Sequence, residues 1–298
     1  ALYKKIMAAN EEWLPELNES LALLTELFRL RPSVNVQLDQ SKCTPETSLR
    51  RALLCVKEHT LIGKQILCVG DDDLVSVSLG FLLRRLFPNS MSPKATITVV
   101  DIDDRFLRYI DEVAVRERLP IQCCHADLRE PLPQNLYGQF DCIITDPPYT
   151  LPGLILFLSR GISALKPMIG LPIFLSFAHK APDFTLAMQR EFIHMELMVS
   201  GVIPSFNEYE GAEMIGNRGQ MIILKTTERT EPKIVDTFAD SLYTGEVKRT
   251  LRTYCCKRCK EIVLVGCKSR FTTVEDLKSH GCLRCTNNTF DLIDKKIF

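Results

Sequence analysis

The chain has 298 residues, 46% of them hydrophobic, and carries 37 basic and 37 acidic residues, so its formal net charge at pH 7 is zero. This length is enough to bury a full core and suggests one large domain with an appendage. The balanced charge gives no reason to expect a nucleic acid or a membrane as partner, and no apolar stretch reaches the roughly 18 residues that a membrane-spanning helix needs.

Residues 1–60 predict a helical lead-in. Apolar residues recur at helical spacing between residues 10 and 30, and "TPET" (44–47) predicts a helix start with Thr44 as the N-cap and Pro45 in the first turn. Charged residues run through the first 30 positions, unlike a signal peptide, and twelve cysteines favour a reducing compartment. We therefore expect a cytoplasmic protein.

Short apolar runs rich in Val and Ile then alternate with helical patterns. The runs are 65–70, 95–103, 121–127, 140–146, 171–177 and 220–227, and the helical patterns are 73–87, 104–118, 151–165 and 182–197. Near-continuous apolar strands alternating with helices are typical of a mostly parallel sheet covered on both faces. The sequence thus predicts an α/β catalytic domain over residues 61–228.

Acidic residues follow four of the predicted strands, where ligands of such sheets bind. The residues at these strand ends are Gly70, Asp71, Asp72 and Asp73, then Asp101 and Ile102, then Asp127 and Leu128, and last the "DPPY" of 146–149. Asp101, about thirty residues after the glycine corner, suits a ribose diol, and Asp127 is placed for an adenine amine. The competing explanation is that Asp and Gly are common in loops and at helix N-termini.

The glycine corner is a poor phosphate site. A dinucleotide site needs several glycines and backbone amides that face an anion, but here one glycine precedes three carboxylates, which would repel a pyrophosphate. The corner therefore favours a nucleoside with cationic character. An adenosyl sulfonium of the S-adenosylmethionine type fits this description.

The "DPPY" tetrapeptide predicts nitrogen alkylation. Two prolines stiffen the loop, so Asp146 and the carbonyl of Pro147 can accept N–H bonds from an attacking amine while Tyr149 packs over it. A simple proline turn is the alternative. His179, which follows the next strand, is either a substrate contact or a surface histidine.

Several separated motifs resemble the branched-chain polyamine synthases, the N(4)-bis(aminopropyl)spermidine synthases. These motifs are "QLDQSKCTPETSLRRALL", "GDDDLVS", "DPPYT" and "FNEYEGAEMIGNRGQMIIL", and together the resemblance covers roughly residues 34–227. It implies a class I methyltransferase-like, Rossmann-like sheet. It also implies transfer of aminopropyl groups from decarboxylated S-adenosylmethionine to a polyamine such as spermidine.

The predicted charges agree with this resemblance. Decarboxylated S-adenosylmethionine ends in an ammonium where the intact molecule carries a carboxylate, so an Asp-rich corner favours the decarboxylated donor. "NEYEGAE" adds Glu208, Glu210 and Glu213 near the expected rim, which suits a cationic acceptor, although a solvated loop would have the same composition. The family's N-terminal winged-helix-like domain is absent or reduced here, and a homodimer is left open.

The tail, residues 229–298, predicts a separate zinc-ribbon-like module. Its four expected ligands form two Cys-x-x-Cys pairs, Cys256 with Cys259 and Cys282 with Cys285, and 22 residues separate the pairs. Four thiolates leave no open position, so the metal would be structural zinc, with iron as the alternative. Cys255, Cys267 and His280 are possible substitute ligands, and free buried cysteines are the competing explanation.

Two other functions remain open at this point. One is transfer of a 3-amino-3-carboxypropyl or methyl group from intact S-adenosylmethionine to an amine, on a metallophore or a nucleic acid. The other is a non-catalytic adenosyl-binding or RNA-binding protein. Before Glu228 the chain carries 37 − 14 = 23 basic and 37 − 10 = 27 acidic residues, a net charge of −4, which disfavours a nucleic-acid channel.

Overall fold

The computed structural model describes residues 2–9, 15–89, 94–210, 217–243, 250–266, 269–271 and 273–297. The chain forms two compact units, residues 1–240 and residues 241–298. In the described ranges, no helix combines the length and the apolar character required to span a bilayer.

The first unit alternates helices and strands. Its helices are α1 (Leu2–Ala8), α2 (Asn18–Leu30), α3 (Pro45–Lys57), α4 (Val75–Leu86), α5 (Asp104–Glu117), α6 (Leu151–Ala164) and α7 (Pro182–His194). Its strands are β1 (Lys42–Cys43), β2 (Gln65–Val69), β3 (Thr96–Asp101), β4 (Ile121–His125), β5 (Cys142–Thr145), β6 (Pro172–Ala178), β7 (Leu197–Glu210) and β8 (Arg218–Thr226). The helix and strand patterns read from the sequence are confirmed for these elements, within a few residues at each end. The long strand β7 was not predicted.

Within the described ranges these strands form one eight-stranded sheet in the order β1-β7-β8-β6-β5-β2-β3-β4. Strands β2 to β6 pair in parallel, while β8 runs antiparallel to both β6 and β7. As a result, β7 points in the same direction as the parallel strands. Its carboxyl end lies at the same edge of the sheet as the acidic strand ends.

Helix α3 and strand β1 attach the lead-in to this edge. Thr44 caps α3 by accepting the Thr47 N–H, and Pro45 occupies the first turn, as the "TPET" pattern predicts. Strand β1 pairs with β7, and the Glu208 N–H donates to the Thr47 side chain at 2.9 Å. The start of α3 is therefore held against the carboxyl end of β7.

Residues 229–240, which the sequence places in the tail, pack with the first unit in the structure. Buried Arg160 on α6 donates to three backbone carbonyls of this segment, those of Ile234, Val235 and Asp236. A fully buried guanidinium needs such acceptors, and an irregular segment supplies carbonyls that no strand has used.

The second unit is small. It contains β9 (Thr250–Cys256), β10 (Ile262–Gly266), α8 (Val274–His280) and β11 (Phe290–Ile297), and the strands form a three-stranded antiparallel sheet in the order β10-β9-β11. Its hydrophobic core consists of a few buried side chains from these elements, among them Tyr254, Val265 and Phe271. A core of this size gives little stability by itself.

Gly153 in the first turn of α6 holds the preceding "DPPY" loop close to the helix. A Cβ at this position would lie 2.7 Å from the Pro148 carbonyl oxygen and 2.9 Å from the Thr150 hydroxyl oxygen. We expect Gly153→Ala to lower the free energy of unfolding by about 1–3 kcal/mol, because backbone must shift to admit the methyl group. Urea denaturation measures this change.

Gly161→Ala is the matched control on the same helix. Its added Cβ meets the Ile143 Cγ2 methyl at 3.1 Å, a contact that a shift of a few tenths of an ångström relieves, and alanine favours the helix. We expect its stability to stay within about 1 kcal/mol of the wild type. Equal stability of the two variants would contradict the close packing at Gly153.

Candidate active site

A buried arginine joins the elements at the carboxyl edge of the sheet. Arg51 on α3 is 2% exposed. Its Nη1 donates to Asp73 Oδ2 at 2.7 Å, and its Nη2 donates to Asp146 Oδ2 at 2.9 Å. Nε donates to Asn207 Oδ1 at 2.9 Å, and Nη2 also contacts the Tyr209 hydroxyl at 3.0 Å. One side chain thus links α3, the glycine corner, the "DPPY" loop and β7.

Asp146 has one oxygen inside this network and one outside it. Its Oδ2 accepts from Arg51 and from the Tyr209 hydroxyl, the latter at 2.7 Å. Its Oδ1 is buried and has no hydrogen-bond partner among the described residues. Such an atom is an acceptor for an N–H group that enters the site.

The charge state of Asp146 is set by opposing effects. Burial raises its pKa to about 7, while the Arg51 guanidinium pulls it down and the neighbouring Asp73 carboxylate pushes it up. A carboxyl with this pKa changes its charge near neutral pH. It can therefore accept a proton and also lose it again under physiological conditions.

Two tyrosine hydroxyls extend the network away from Asp146. Tyr149 donates to the Tyr209 oxygen at 2.9 Å, and Tyr209 donates to Asp146 Oδ2. Burial raises the pKa of both hydroxyls well above the usual value for tyrosine. Both groups stay protonated at neutral pH and act as donors in this chain of hydrogen bonds.

The three acids of the glycine corner have different surroundings. Asp71 is buried and accepts the N–H groups of Val75 and Ser76, so it caps α4. Asp73 accepts from Cys43 N–H and Arg51. Asp72 is half-buried and its Oδ2 accepts a single backbone N–H, so it is the corner acid with the most remaining acceptor capacity.

Asp72 lies within the field of other carboxylates. Burial raises its pKa well above the usual value, and the charges of Asp73, Asp101 and Asp146 raise it further. A cation placed here would relieve this repulsion, whereas an additional carboxylate would increase it.

The predicted adenosyl contacts lie at the neighbouring strand ends. Gly70 has a φ of +74°, and a Cβ there would lie 4.0 Å from Asp101 Oδ2. Asp101 is buried and accepts the N–H groups of Asp71 and Asp103, so in this structure it holds the corner in shape. Ile102 is half-buried after it.

The strand end after β4 supplies the other predicted adenosyl contacts. Asp127 is half-buried and accepts the Arg129 N–H at 2.9 Å, which closes a turn. Leu128 is buried and its carbonyl accepts from Arg160. Both residues lie at the carboxyl edge, and their binding to an adenosyl group stays a prediction.

The predicted substrate contacts are more exposed. His179 is exposed, and its Nε2 accepts the Ser205 N–H at 3.2 Å. Glu208 is half-buried, with Oε1 3.9 Å from Arg50, and Glu210 is exposed at the end of β7. Pro147 is buried beside Asp146, while Glu213 lies outside the described residues.

An aromatic cluster adjoins Tyr149. The Tyr149 and Phe177 rings meet edge to face with 5.2 Å between centroids, and Phe177 stacks on Phe184 at 6.0 Å. The Lys180 ammonium lies 5.7 Å from the Tyr149 centroid, 5.8 Å from that of Phe177 and 5.2 Å from that of Phe184. These distances fall within the range of cation–π attraction.

The sequence interpretation missed Arg51, Asn207 and Tyr209. A signal for Arg51 was present, because helical spacing places it with Ser48 and Cys55 on the buried face of α3. Asn207 and Tyr209 were hidden because β7 was not recognised as a strand. Alternation along that strand turns both side chains inward.

The four cysteines predicted as metal ligands come together in the second unit. The sulfur atoms of Cys256, Cys259, Cys282 and Cys285 all lie within 4.8 Å of one another. Cys256 and Cys285 are 3.6 Å apart, and Cys259 and Cys282 are 3.5 Å apart. Tetrahedral zinc with Zn–S bonds of about 2.3 Å places its sulfurs about 3.8 Å apart, so the cluster fits a zinc ion.

Two of the possible substitute ligands, His280 and Cys255, are not part of this cluster. His280 Nδ1 faces the backbone carbonyl and the carboxylate of Asp276 on α8. The Cys255 thiol faces the carbonyls of Cys256 and Lys260. Cys267 lies outside the described residues.

Comparison with known proteins identifies one family. The profile of the branched-chain polyamine synthase A C-terminal domain matches residues 19–261. An uncharacterised protein of Methanocaldococcus jannaschii is 41% identical over 268 residues, covering 89% of this chain and 63% of the relative. The N(4)-bis(aminopropyl)spermidine synthase of the same organism is 35% identical over 199 residues, covering 66% of this chain and 54% of the relative.

The solved structures that resemble this chain include a member of the same family. The branched-chain polyamine synthase from Thermus thermophilus, crystallised with N4-aminopropylspermidine and 5'-methylthioadenosine, is 26% identical with a TM-score of 0.65. The match covers 76% of this chain and 68% of that one. Methyltransferase structures from Pyrococcus horikoshii and Listeria monocytogenes match at 12% and 18% identity with TM-scores of 0.52 and 0.50, which shows the fold alone. The predicted class I methyltransferase-like fold is confirmed.

The network around Arg51 can be tested by stability measurements. Arg51→Met leaves the Asp73 and Asp146 carboxylates buried without their counter-ion, so we expect a loss of about 3–5 kcal/mol in the free energy of unfolding at neutral pH. Without the guanidinium, the pKa of Asp146 rises further above its value in the unfolded chain. Stability of the variant therefore falls as the pH rises through that pKa, and the deficit is larger at pH 8 than at pH 5.5.

Arg50→Met is the control for this measurement. Arg50 is the preceding residue on α3 and is half-buried, and its charge is 3.9 Å from Glu208. We expect a loss below about 1 kcal/mol with little pH dependence. Equal losses for the two variants, or an Arg51→Met deficit that shrinks toward pH 8, would contradict the role assigned to Arg51.

Proposed function

The chain belongs to the branched-chain polyamine synthase family, and on that premise we propose that it is an aminopropyltransferase. It would move aminopropyl groups from decarboxylated S-adenosylmethionine to a polyamine nitrogen, as the motifs predicted. The chain spans 63% of the first relative and 54% of the named synthase, so the activity of those longer proteins enters here as a proposal.

The observation that carries the proposal is the unpaired oxygen of Asp146. An aliphatic amine of pKa about 10 must attack as the free base. Asp146 Oδ1 is positioned to accept an N–H of this amine because Arg51 and Tyr209 fix the other oxygen of the carboxylate. The carboxylate orients the lone pair and takes up the proton.

The proposed transfer is a substitution at one carbon of the aminopropyl group. The amine nitrogen forms a bond to the terminal carbon of the aminopropyl group, and the bond from that carbon to the sulfonium sulfur breaks. The sulfur keeps the electron pair and leaves as neutral 5'-methylthioadenosine, the molecule bound in the Thermus thermophilus structure. In a first transfer to a secondary amine, the alkylated nitrogen becomes positively charged and gives its proton to Asp146 or to water. A second transfer to the same nitrogen would give a quaternary ammonium and release no proton.

The donor preference rests on Asp72. Its carboxylate keeps acceptor capacity among the charges of Asp73, Asp101 and Asp146, and this setting favours an ammonium over the carboxylate of intact S-adenosylmethionine. Gly70, Asp71, Asp101, Ile102, Asp127 and Leu128 would surround the adenosyl group. Pro147, Asp73, His179, Glu208 and Glu210 would face the acceptor.

A second candidate has its own support. The uncharacterised relative matches 89% of this chain, and the 11% left out is shorter than the unit of residues 241–298, so that match extends into the cysteine-rich unit. The same organism also has a named synthase that matches over a shorter stretch. The presence of both proteins in one organism favours a separate branch of the family. That branch would use a different acceptor, or intact S-adenosylmethionine as a 3-amino-3-carboxypropyl donor.

Product masses separate these candidates. We expect the purified protein, given decarboxylated S-adenosylmethionine and a panel of di-, tri- and tetra-amines, to add one or two aminopropyl units and release 5'-methylthioadenosine. Mass spectrometry detects both products. An addition that also carries a carboxyl group, seen with intact S-adenosylmethionine alone, would favour the second candidate and contradict the first.

The variant Asp146→Asn tests whether Asp146 is the base of the proposed reaction. It keeps the side-chain size and one oxygen but cannot take up the proton, so turnover should fall by about 10²–10⁴ with donor affinity nearly unchanged. In the wild type, kcat/KM should show an inflection near pH 7, where Asp146 becomes ionised, on top of the steady rise from deprotonation of the acceptor; the variant should show the steady rise without the inflection. Wild-type turnover in the variant would exclude Asp146 as the base.

We further propose that residues 241–298 form a zinc-ribbon-like module with structural zinc. Cys256, Cys259, Cys282 and Cys285 would be its four ligands, and the Asn287 amide donates to Cys256 Sγ at 3.5 Å, which orients one of them. Four protein ligands leave no position for a substrate, so the metal would stabilise a unit whose own core is small. Reduced thiols are consistent with a cytoplasmic location.

Metal analysis tests this site. We expect about one zinc per chain in freshly purified, reduced protein, and Cys282→Ser should lose the metal and make residues 250–298 sensitive to protease. Cys255→Ser, next to a ligand but outside the cluster, should keep it. Purified protein with neither zinc nor iron, or metal loss in both variants alike, would contradict the assignment.

A further inference from the structure

We propose that the rings of Tyr149, Phe177 and Phe184 form a binding subsite for a second ammonium of the acceptor, and that Lys180 occupies this subsite in the free protein. The inference rests on the proposed polyamine acceptor. It adds a second recognition point beside Asp146 and identifies Lys180 as a residue that determines acceptor affinity.

The first support is the geometry of the rings. Three aromatic side chains converge on one ammonium, with centroid distances between 5.2 and 5.8 Å. Each ring presents negative charge density at its face, so together they stabilise a cation that has lost part of its water shell. The same rings would attract an ammonium of a ligand as readily as one of the protein.

The second support is the position of the rings. Tyr149 belongs to both parts of the site: its ring faces the cation, and its hydroxyl leads through Tyr209 to Asp146. The rings therefore adjoin the same hydrogen-bonded network as the carboxylate that would hold the reacting nitrogen. A polyamine carries further nitrogens, separated by methylene chains, that extend beyond the reacting one.

The third support is the flexibility of what fills the subsite. Lys180 follows β6 and precedes α7, and its charge sits at the end of a four-carbon side chain with several rotatable bonds. Phe177 is fully buried within β6, and Phe184 is half-buried in the first turn of α7, so these two rings are held by regular structure. A ligand ammonium can displace the lysine while the rings stay in place.

A lysine in this position weakens acceptor binding in two ways. The acceptor must displace an ammonium that the rings already stabilise, and the displaced charge still repels a polycation nearby. An amine with one nitrogen would contact Asp146 alone and would not have to displace Lys180. Lys180 thus lowers the affinity for polyamines more than the affinity for monoamines.

Binding measurements without donor test the proposal. We expect Lys180→Met to lower the Kd for spermidine about 2- to 5-fold, the range expected for one exposed cation–π contact, and to lower the Kd for tetramethylammonium as well. Lys180→Arg should bind like the wild type because a cation remains over the rings. Isothermal titration calorimetry measures all of these affinities.

Lys94→Met controls for the change in net charge. Lys94 is exposed before β3, at the amino edge of the sheet, and its carbonyl accepts from Gly63. The Kd of this variant should equal that of the wild type. If Lys180→Met binds spermidine no more tightly than Lys94→Met does, Lys180 does not occupy an acceptor subsite and the proposal is wrong.

Ring variants give an independent measure. In the Lys180→Met background, Phe184→Leu should abolish the gain in affinity, while Phe184→Tyr, which keeps an aromatic face, should retain it. A gain that persists in Phe184→Leu would overturn the aromatic subsite. Tetramethylammonium needs no turnover, so a protein that binds it as expected but transfers no aminopropyl group would contradict the proposed reaction and leave the subsite standing.

Discussion

The buried guanidinium of Arg51 is the interaction on which the rest of the site depends. It balances two buried carboxylates, Asp73 and Asp146, that could not both remain ionised at this depth without a counter-ion. It also uses its planar geometry to bind an amide and a tyrosine hydroxyl on β7. A lysine could not make these contacts at once, because its ammonium is a single point of charge without the fixed fork of donors.

This constraint explains why the helical lead-in belongs to the first unit. Thr44 caps the first turn of α3, and the Thr47 hydroxyl accepts a hydrogen bond from β7. These hydrogen bonds hold Arg51 next to the carboxyl ends of the strands. The lead-in is therefore the element that supplies positive charge to an edge of the sheet otherwise rich in acids. With this charge in place, Asp146 Oδ1 has no partner among the described residues, as the proposed reaction requires.

Under the proposed function, the acidic edge and the aromatic cluster would bind the same kind of ligand by different physical means. Carboxylates such as Asp72 attract a cation through charge, while the rings around Tyr149 attract it through their quadrupoles and exclude water on one side. A polyamine offers several ammonium groups on a flexible chain and can use both. The proposed metal site of the second unit would take no part in this chemistry, since its four thiolates would be fully used by the ion.

The sequence by itself determined six of the eight strands of the large sheet, most helices, the cysteine cluster and the identity of the acids at the strand ends. These features follow from local patterns: alternation of apolar runs, the "TPET" cap, the Cys-x-x-Cys spacing and the position of Asp146 after a buried strand. The tertiary structure decided which of these acids are already engaged. Asp71 caps α4 and Asp101 holds the corner, whereas Asp146 retains a free oxygen, and no local pattern distinguishes these cases. Arg51 meets Asn207 and Tyr209 across 156 and 158 positions of the chain. Contacts at that separation arise from strand order and from the direction of β7, so only the folded chain could reveal them.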